Sequence, residues 1–160
     1  MMRNHIATAI VLVALGLLVF PSSRIEAADL PPELAATPQL PSQIAILAMV
    51  RSTLVAVDQG NKTGNYTVLR DLGSPSFHAA NDPSKLSLIF GNLASQGIDL
   101  LPVTVVEPEY RSPPSITPEK MLYVMGTFPI LPKPVNFEIM YQMHAGKWRM
   151  FAILVQPAEK

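Results

Sequence analysis

Across 160 residues, 12 Lys and Arg balance 12 Asp and Glu, and 49% of the side chains are hydrophobic. That balance excludes a disordered or collagen-like chain and offers no basic surface to draw nucleic acid. With no cysteine, the chain has neither disulfides nor a thiol for lipoprotein acylation, so core packing alone must stabilise it.

Arg3 and His5 precede an uncharged apolar run from Ile6 to Phe20, which Pro21-Ser22-Ser23 stops. This is the layout of a signal peptide over residues 1–27, cleaved near Ala27 or Ala28. The 15-residue run falls short of the roughly 20 apolar residues of a membrane-spanning helix. The expected location is therefore the periplasm or the exterior, with membrane contact only during export. Loss of Arg3, Arg24 and Glu26 leaves 10 basic and 11 acidic residues, a formal charge of −1. Residues 28–41 form a leader in which Pro31, Pro32, Pro38 and Pro41 prevent regular structure. It either spaces the domain from a surface or drapes over it.

One domain is expected over residues 42–157. Leu47, Val50, Leu54 and Val57 recur at helical steps and predict a helix from Ser42 to about Gln59, ended by Gly60. Its first half is expected to be buried on more than one face, because Ile44, Ala45, Ile46, Ala48 and Met49 are apolar too. A short second helix follows from about Asn65 to Leu72. Asp82 and Pro83 mark the start of another, with Leu86, Ile89, Phe90 and Leu93 on one side and Gly97 at its end. Beyond Gly97 the period becomes two. Val103 and Val105 suggest a first strand, a proline-rich connection runs from Glu107 to Pro118, and Met121–Phe128 suggests a second. In the third, Val135, Phe137, Ile139, Tyr141 and Met143 face one way, and Asn136, Glu138, Gln142 and His144 the other. A turn at Ala145-Gly146 leads to the last, where Trp148, Met150, Ala152 and Leu154 alternate with Arg149, Phe151, Ile153 and Val155. Helices first and strands afterwards predict an α+β fold, with N-terminal helices packed on a curved antiparallel four-stranded sheet.

That order, together with Ile44 to Asp58, Thr63 to Leu72 and the terminal Ala145-Gly146-Lys147-Trp148-Arg149-Met150-Phe151-Ala152-Ile153, resembles the nuclear transport factor 2-like superfamily. The resemblance covers about residues 42–156. It implies a cone-shaped fold with an apolar pocket between the first helices and the concave face of the sheet, and an outer face free for self-association. Members include ketosteroid isomerase-like and polyketide cyclase-like enzymes, dehydratases and non-enzymatic binders, and fold alone selects none of these.

An enzyme of this kind needs a buried acid or base in the pocket. Asp71 and His78 are the candidates, with a surface helix-end carboxylate and a solvated histidine as the competing reading. Tyr66, Phe90, Tyr123, Phe137, Tyr141 and Trp148 are the candidate ligand-binding residues, although such rings serve equally to fill a core. Glu138 is expected to be solvated or paired with Arg149. The three histidines, His5, His78 and His144, have no metal-binding spacing, and no phosphate loop follows a strand, so neither metal nor cofactor is expected. Met121, Met125, Met140, Met143 and Met150 gather on the sheet, which suits either an adaptable binding surface or an irregular core. The leading reading is a non-enzymatic binder of a small apolar ligand or peptide that forms a homodimer through its sheet. The alternative is a small isomerase or dehydratase.

Overall fold

The computed structural model describes residues 38–158. The expected signal peptide over residues 1–27 and most of the expected leader lie outside the described residues. Four α-helices come first: α1 (Gln43–Thr63), α2 (Thr67–Asp71), α3 (Pro75–Ala80) and α4 (Pro83–Ser95). A 3-10 turn (Leu101–Thr104) leads to β1 (Glu109–Tyr110), β2 (Ser115–Ile116), β3 (Leu122–Phe128), β4 (Val135–His144) and β5 (Lys147–Pro157). None of the described helices is long and apolar enough to cross a membrane.

Helix α1 begins where its capping residue predicts, with the Ser42 hydroxyl accepting from the Ala45 amide at 3.2 Å. Ile46, Val50, Leu54 and Val57 form its buried stripe. The first half is buried on one side only, because Ile44 remains 83% exposed. The helix does not stop at Gly60. It continues a further turn to Gly64, whose positive φ ends it and whose amide bonds the Gly60 carbonyl at 2.8 Å. Gly60 is inside the helix for a packing reason: a Cβ there would stand 2.6 Å from the ring of Tyr66.

Helix α4 starts as expected, with the Asp82 carboxylate accepting from the Lys85 amide at 2.8 Å, and it buries Leu86, Phe90 and Leu93 but leaves Ile89 49% exposed. Helix α3 was hidden in what reads as a connecting segment. Ser74 caps it, Pro75 starts it and Phe77 anchors it in the core. Its neighbouring Ser74 amide also bonds the Met150 carbonyl at 2.7 Å, tying the helices to β5.

All strand pairs are antiparallel, in the order β1-β3-β4-β5, with β2 also on β3. The sheet thus has five strands rather than four, and the expected strand at Val103 and Val105 is absent. Pro102 helps set a tight turn there, Val103 is buried, and Val105 is 79% exposed. Two alternating valines are too short a pattern to tell a strand from a turn. The missing edge comes instead from the proline-rich connection. Tyr110 pairs with Gly126 and Ser115 with Tyr123, so Arg111 to Pro114 loop out opposite only Val124 and Met125. Pro113 and Pro114 lack amide donors, and they blunt an edge that would otherwise invite further pairing.

The core lies between the helices and one face of the sheet. Leu122, Val124 and Phe128 of β3 and Val135, Phe137, Ile139 and Tyr141 of β4 point into it. Strand β5 departs from simple alternation, because Met140 pairs with Ala152 but Tyr141 with Met150, leaving Phe151 as an extra residue. This bulge changes the phase of the strand. Trp148 and Met150 sit opposite the core-facing Met143 and Tyr141, whereas Ala152 and Leu154 sit opposite Met140 and Glu138 on the other face.

Candidate functional site

The six candidate ligand-binding residues are not one site. Tyr66 and Phe90 are each only 2% exposed and stack at 6.5 Å between ring centres, filling the space between α1 and α4. The Tyr66 hydroxyl donates to the Asn61 side-chain oxygen, and burial pushes its pKa above the ordinary tyrosine value. Phe137 packs 5.3 Å from Phe128 and meets the Tyr110 ring edge-on at 6.4 Å. Rings therefore fill these parts of the interior, into which the expected cavity would otherwise extend.

Tyr141 and Trp148 do meet. They line a cleft of about 260 Å³ with Met49, Thr53, Leu72 and Met150. Two of its hydroxyls engage each other: the Thr53 hydroxyl donates to the Met49 carbonyl at 2.9 Å, so it accepts from the Tyr141 hydroxyl at 3.2 Å. Burial, by stripping water from the phenolate, holds the Tyr141 pKa far above the ordinary tyrosine range. At neutral pH this phenol is a fixed neutral donor rather than an acid or base.

Asp71 and His78 come near each other, with 4.0 Å between the Asp71 carboxylate and the His78 Nε2. Arg70 stands 3.6 Å from the same carboxylate oxygen. The Asp71 side chain is 57% exposed and that of His78 34%, so the pair lies at the surface, although the His78 Nε2 atom itself is buried and has no hydrogen-bond partner among the described residues. The one buried charged side chain among the described residues is Asp58. It accepts from the Leu100 amide at 3.1 Å and from Lys62 at 2.7 Å, and Lys62 also reaches Asp99 at 2.8 Å. These contacts join the end of α1 to the segment after α4. Among the described residues, no group of three potential ligands is placed to hold a metal ion.

Two surfaces stand out beyond the expected set. The first is a groove of about 550 Å³ at the start of α1, walled by Ile44, Ile46 and Leu47 on one side and Tyr110, Pro113 and Pro114 on the other. Its rim is held by Arg51, which donates to the Val103 and Val106 carbonyls and to Glu107, at 2.9, 2.9 and 2.8 Å. In the sequence, the only signal for it was Ile44 lying outside the buried stripe of α1. The groove depends on Gly126, where a Cβ would lie 2.6 Å from the Glu109 carbonyl and 2.9 Å from the Phe137 ring. Gly126→Ala is expected to cost about 1–3 kcal/mol through this overlap. In the variant, faster amide exchange of Arg111, whose amide bonds the Met125 carbonyl at 3.1 Å, with α4 unchanged, would locate the damage beside β1.

The second is the sheet face opposite the core. Tyr123, Met140 and Ala152 form one row across β3, β4 and β5, and Met125, Glu138 and Leu154 the next. Glu138 does not pair with Arg149, since the register sets Arg149 opposite Gln142. It accepts instead from the Tyr123 hydroxyl at 2.8 Å, and that bond, with some burial, raises the Tyr123 pKa. Polar rows flank this centre, with Thr127, Asn136 and Gln156 at one end and Gln142 and Arg149 at the other. Comparison with protein-family models, curated proteins and solved structures finds no match for this chain.

Proposed function

We propose that this chain is an exported, non-enzymatic binding domain of nuclear transport factor 2-like shape that pairs with a second copy through the outer face of its sheet. The observation that carries the reading is the composition of that face. Tyr123, Met125, Met140, Ala152 and Leu154 cluster around Glu138, whose carboxylate Tyr123 already satisfies. An apolar and aromatic centre within a polar rim is the anatomy of a protein interface. A two-fold axis through this centre would lay the same apolar patch of each copy against the other. The order of helices and antiparallel strands, and the β5 bulge that bends such a sheet, support the cone shape. Export rests on Arg3, the Ile6–Phe20 run and the residues that follow it.

The groove beside α1 favours a second role, binding a small apolar ligand or peptide, because its volume falls in the range of ligand sites and its walls are largely apolar. The enzymatic alternative would rest on Asp71 and His78, whose side chains are 57% and 34% exposed at the surface rather than enclosed in a pocket.

Met140→Glu tests the self-association. A second carboxylate beside Glu138 at the centre of the face should weaken the dimer at least about 100-fold, the equivalent of burying roughly 3 kcal/mol of uncompensated charge. The melting temperature of the separated chain should stay nearly unchanged, since the substituted side chain is only half-buried there. Equal dimerisation by the variant in sedimentation equilibrium would refute the assignment of this face.

A further inference from the structure

With no cysteine in the chain, two-electron oxidation at sulfur falls on thioethers alone. The methionines differ sharply in setting. Met150 is in the core, and Met49 lines the cleft beside Trp148. Met125 and Met140 instead lie half-buried on adjacent strands of the outer face, diagonal to one another across the Tyr123–Met140 and Met125–Glu138 pairs. The Met125 sulfur is 3.4 Å from the Tyr123 hydroxyl, the group that donates to Glu138. Met125, through its sulfur, and Met140, through its place opposite Tyr123, therefore flank the polar pair at the centre of the surface.

We propose that Met125 and Met140 form an oxidation site that controls self-association, an inference that rests on the outer face being the dimer surface. The oxidant is a peroxide. A sulfur lone pair forms a bond to one peroxide oxygen as the O–O bond breaks, and the departing hydroxide takes the proton from the new S–OH group to leave as water. Sulfur is oxidised to the sulfoxide while hydrogen peroxide is reduced to water. The product is a polar acceptor where the interface needs an apolar surface. At Met125 the new oxygen competes with Glu138 for the single Tyr123 proton and leaves that carboxylate uncompensated in the centre. Pairing covers both sulfurs, so the oxidant reacts with separated copies, and each oxidised copy is lost from the dimer equilibrium.

The test treats the full exported chain with hydrogen peroxide and follows it by native mass spectrometry and peptide mapping. The expected result is loss of dimer in step with the gain of one oxygen each at Met125 and Met140, while Met150 stays unmodified. Methionine sulfoxide reductase should restore the dimer. The doubly substituted Met125→Leu, Met140→Leu chain, which keeps apolar volume at both positions, should remain dimeric under the same treatment. A dimer that persists with both sulfurs oxidised overturns the inference, as does equal dissociation of the leucine variant. A chain that is monomeric before any oxidant is added overturns the dimer reading as well, so the two failures are told apart.

Discussion

Phe90→Ala should lower stability by about 3–5 kcal/mol, the range for truncating a fully enclosed aromatic ring. For a domain of this size that corresponds to a fall in melting temperature of roughly 12–20 °C. The expectation follows from what Phe90 touches. It is 2% exposed, stacks on Tyr66, and stands with Leu86 and Leu93 on the buried face of α4. Gly60 on α1 leaves room for the other side of the Tyr66 ring, so the layer is closed from α1 through Tyr66 to Phe90, and only the far edge of Phe90 borders a small surface pocket of about 210 Å³ with Phe77, Leu86 and Phe151. Were the rings lining an open chamber, truncation would enlarge that chamber at small cost. Thermal unfolding separates the cases, and a loss below about 1 kcal/mol would show that the ring was not tightly enclosed.

Asp58→Ala should cost about 2–4 kcal/mol, because it removes a charge-assisted hydrogen bond and leaves the buried Leu100 amide without its acceptor. Asp58→Asn should cost less, since its side-chain oxygen still receives the Leu100 amide, while the charge and the hydrogen bond facing Lys62 are lost because an amide NH2 cannot accept from the ammonium. Chemical denaturation of the two variants distinguishes a backbone-holding carboxylate from a simple ion pair. The flanking contact adds a pH dependence of known sign. The hydrogen bonds from Lys62 and from the Leu101 amide lower the Asp99 pKa below its ordinary 3.8. Its contribution is therefore present above that value and is lost as pH falls through the lower folded-state pKa. Lys62 is raised above 10.5, mainly by its hydrogen bonds to Asp58 and then Asp99. Its contribution is present below 10.5 and is lost as pH rises through the higher folded-state pKa. Both groups are largely exposed, so salt should weaken this part.

The sequence was most informative where one residue type has one structural use. Ser42 and Asp82 cap their helices, the Val135–Tyr141 alternation is a half-buried strand, and Ala145-Gly146 makes a turn in which both residues take positive φ. It was ambiguous where a residue type has two uses. Gly60 reads as a helix end but admits the Tyr66 ring, and its neighbour in sequence by four, Gly64, is the end. Pro113 and Pro114 read as a connection but interrupt an edge strand. Phe151 continues the apparent alternation of β5, and only the pairing with β4 shows it to be an extra residue.

The candidate site was less legible than the fold, for a related reason. Aromatic residues mark a core, a cleft and an interface alike, and their distribution among these depends on register. Tyr141 and Tyr123 both lie on strands, yet one faces Thr53 on α1 and the other faces Glu138 on the opposite side of the sheet. The α1 groove was harder still, since Ile44 and Pro113 are brought together only when the edge of β3 lies beside the start of α1.

Native mass spectrometry of the protein recovered after export from its host reads processing and assembly in one spectrum. The expected species is a dimer of chains that begin near Ala28. A monomer at all accessible concentrations would contradict self-association through the Tyr123–Met140–Ala152 face, and a chain retaining residues 1–27 would contradict the signal peptide.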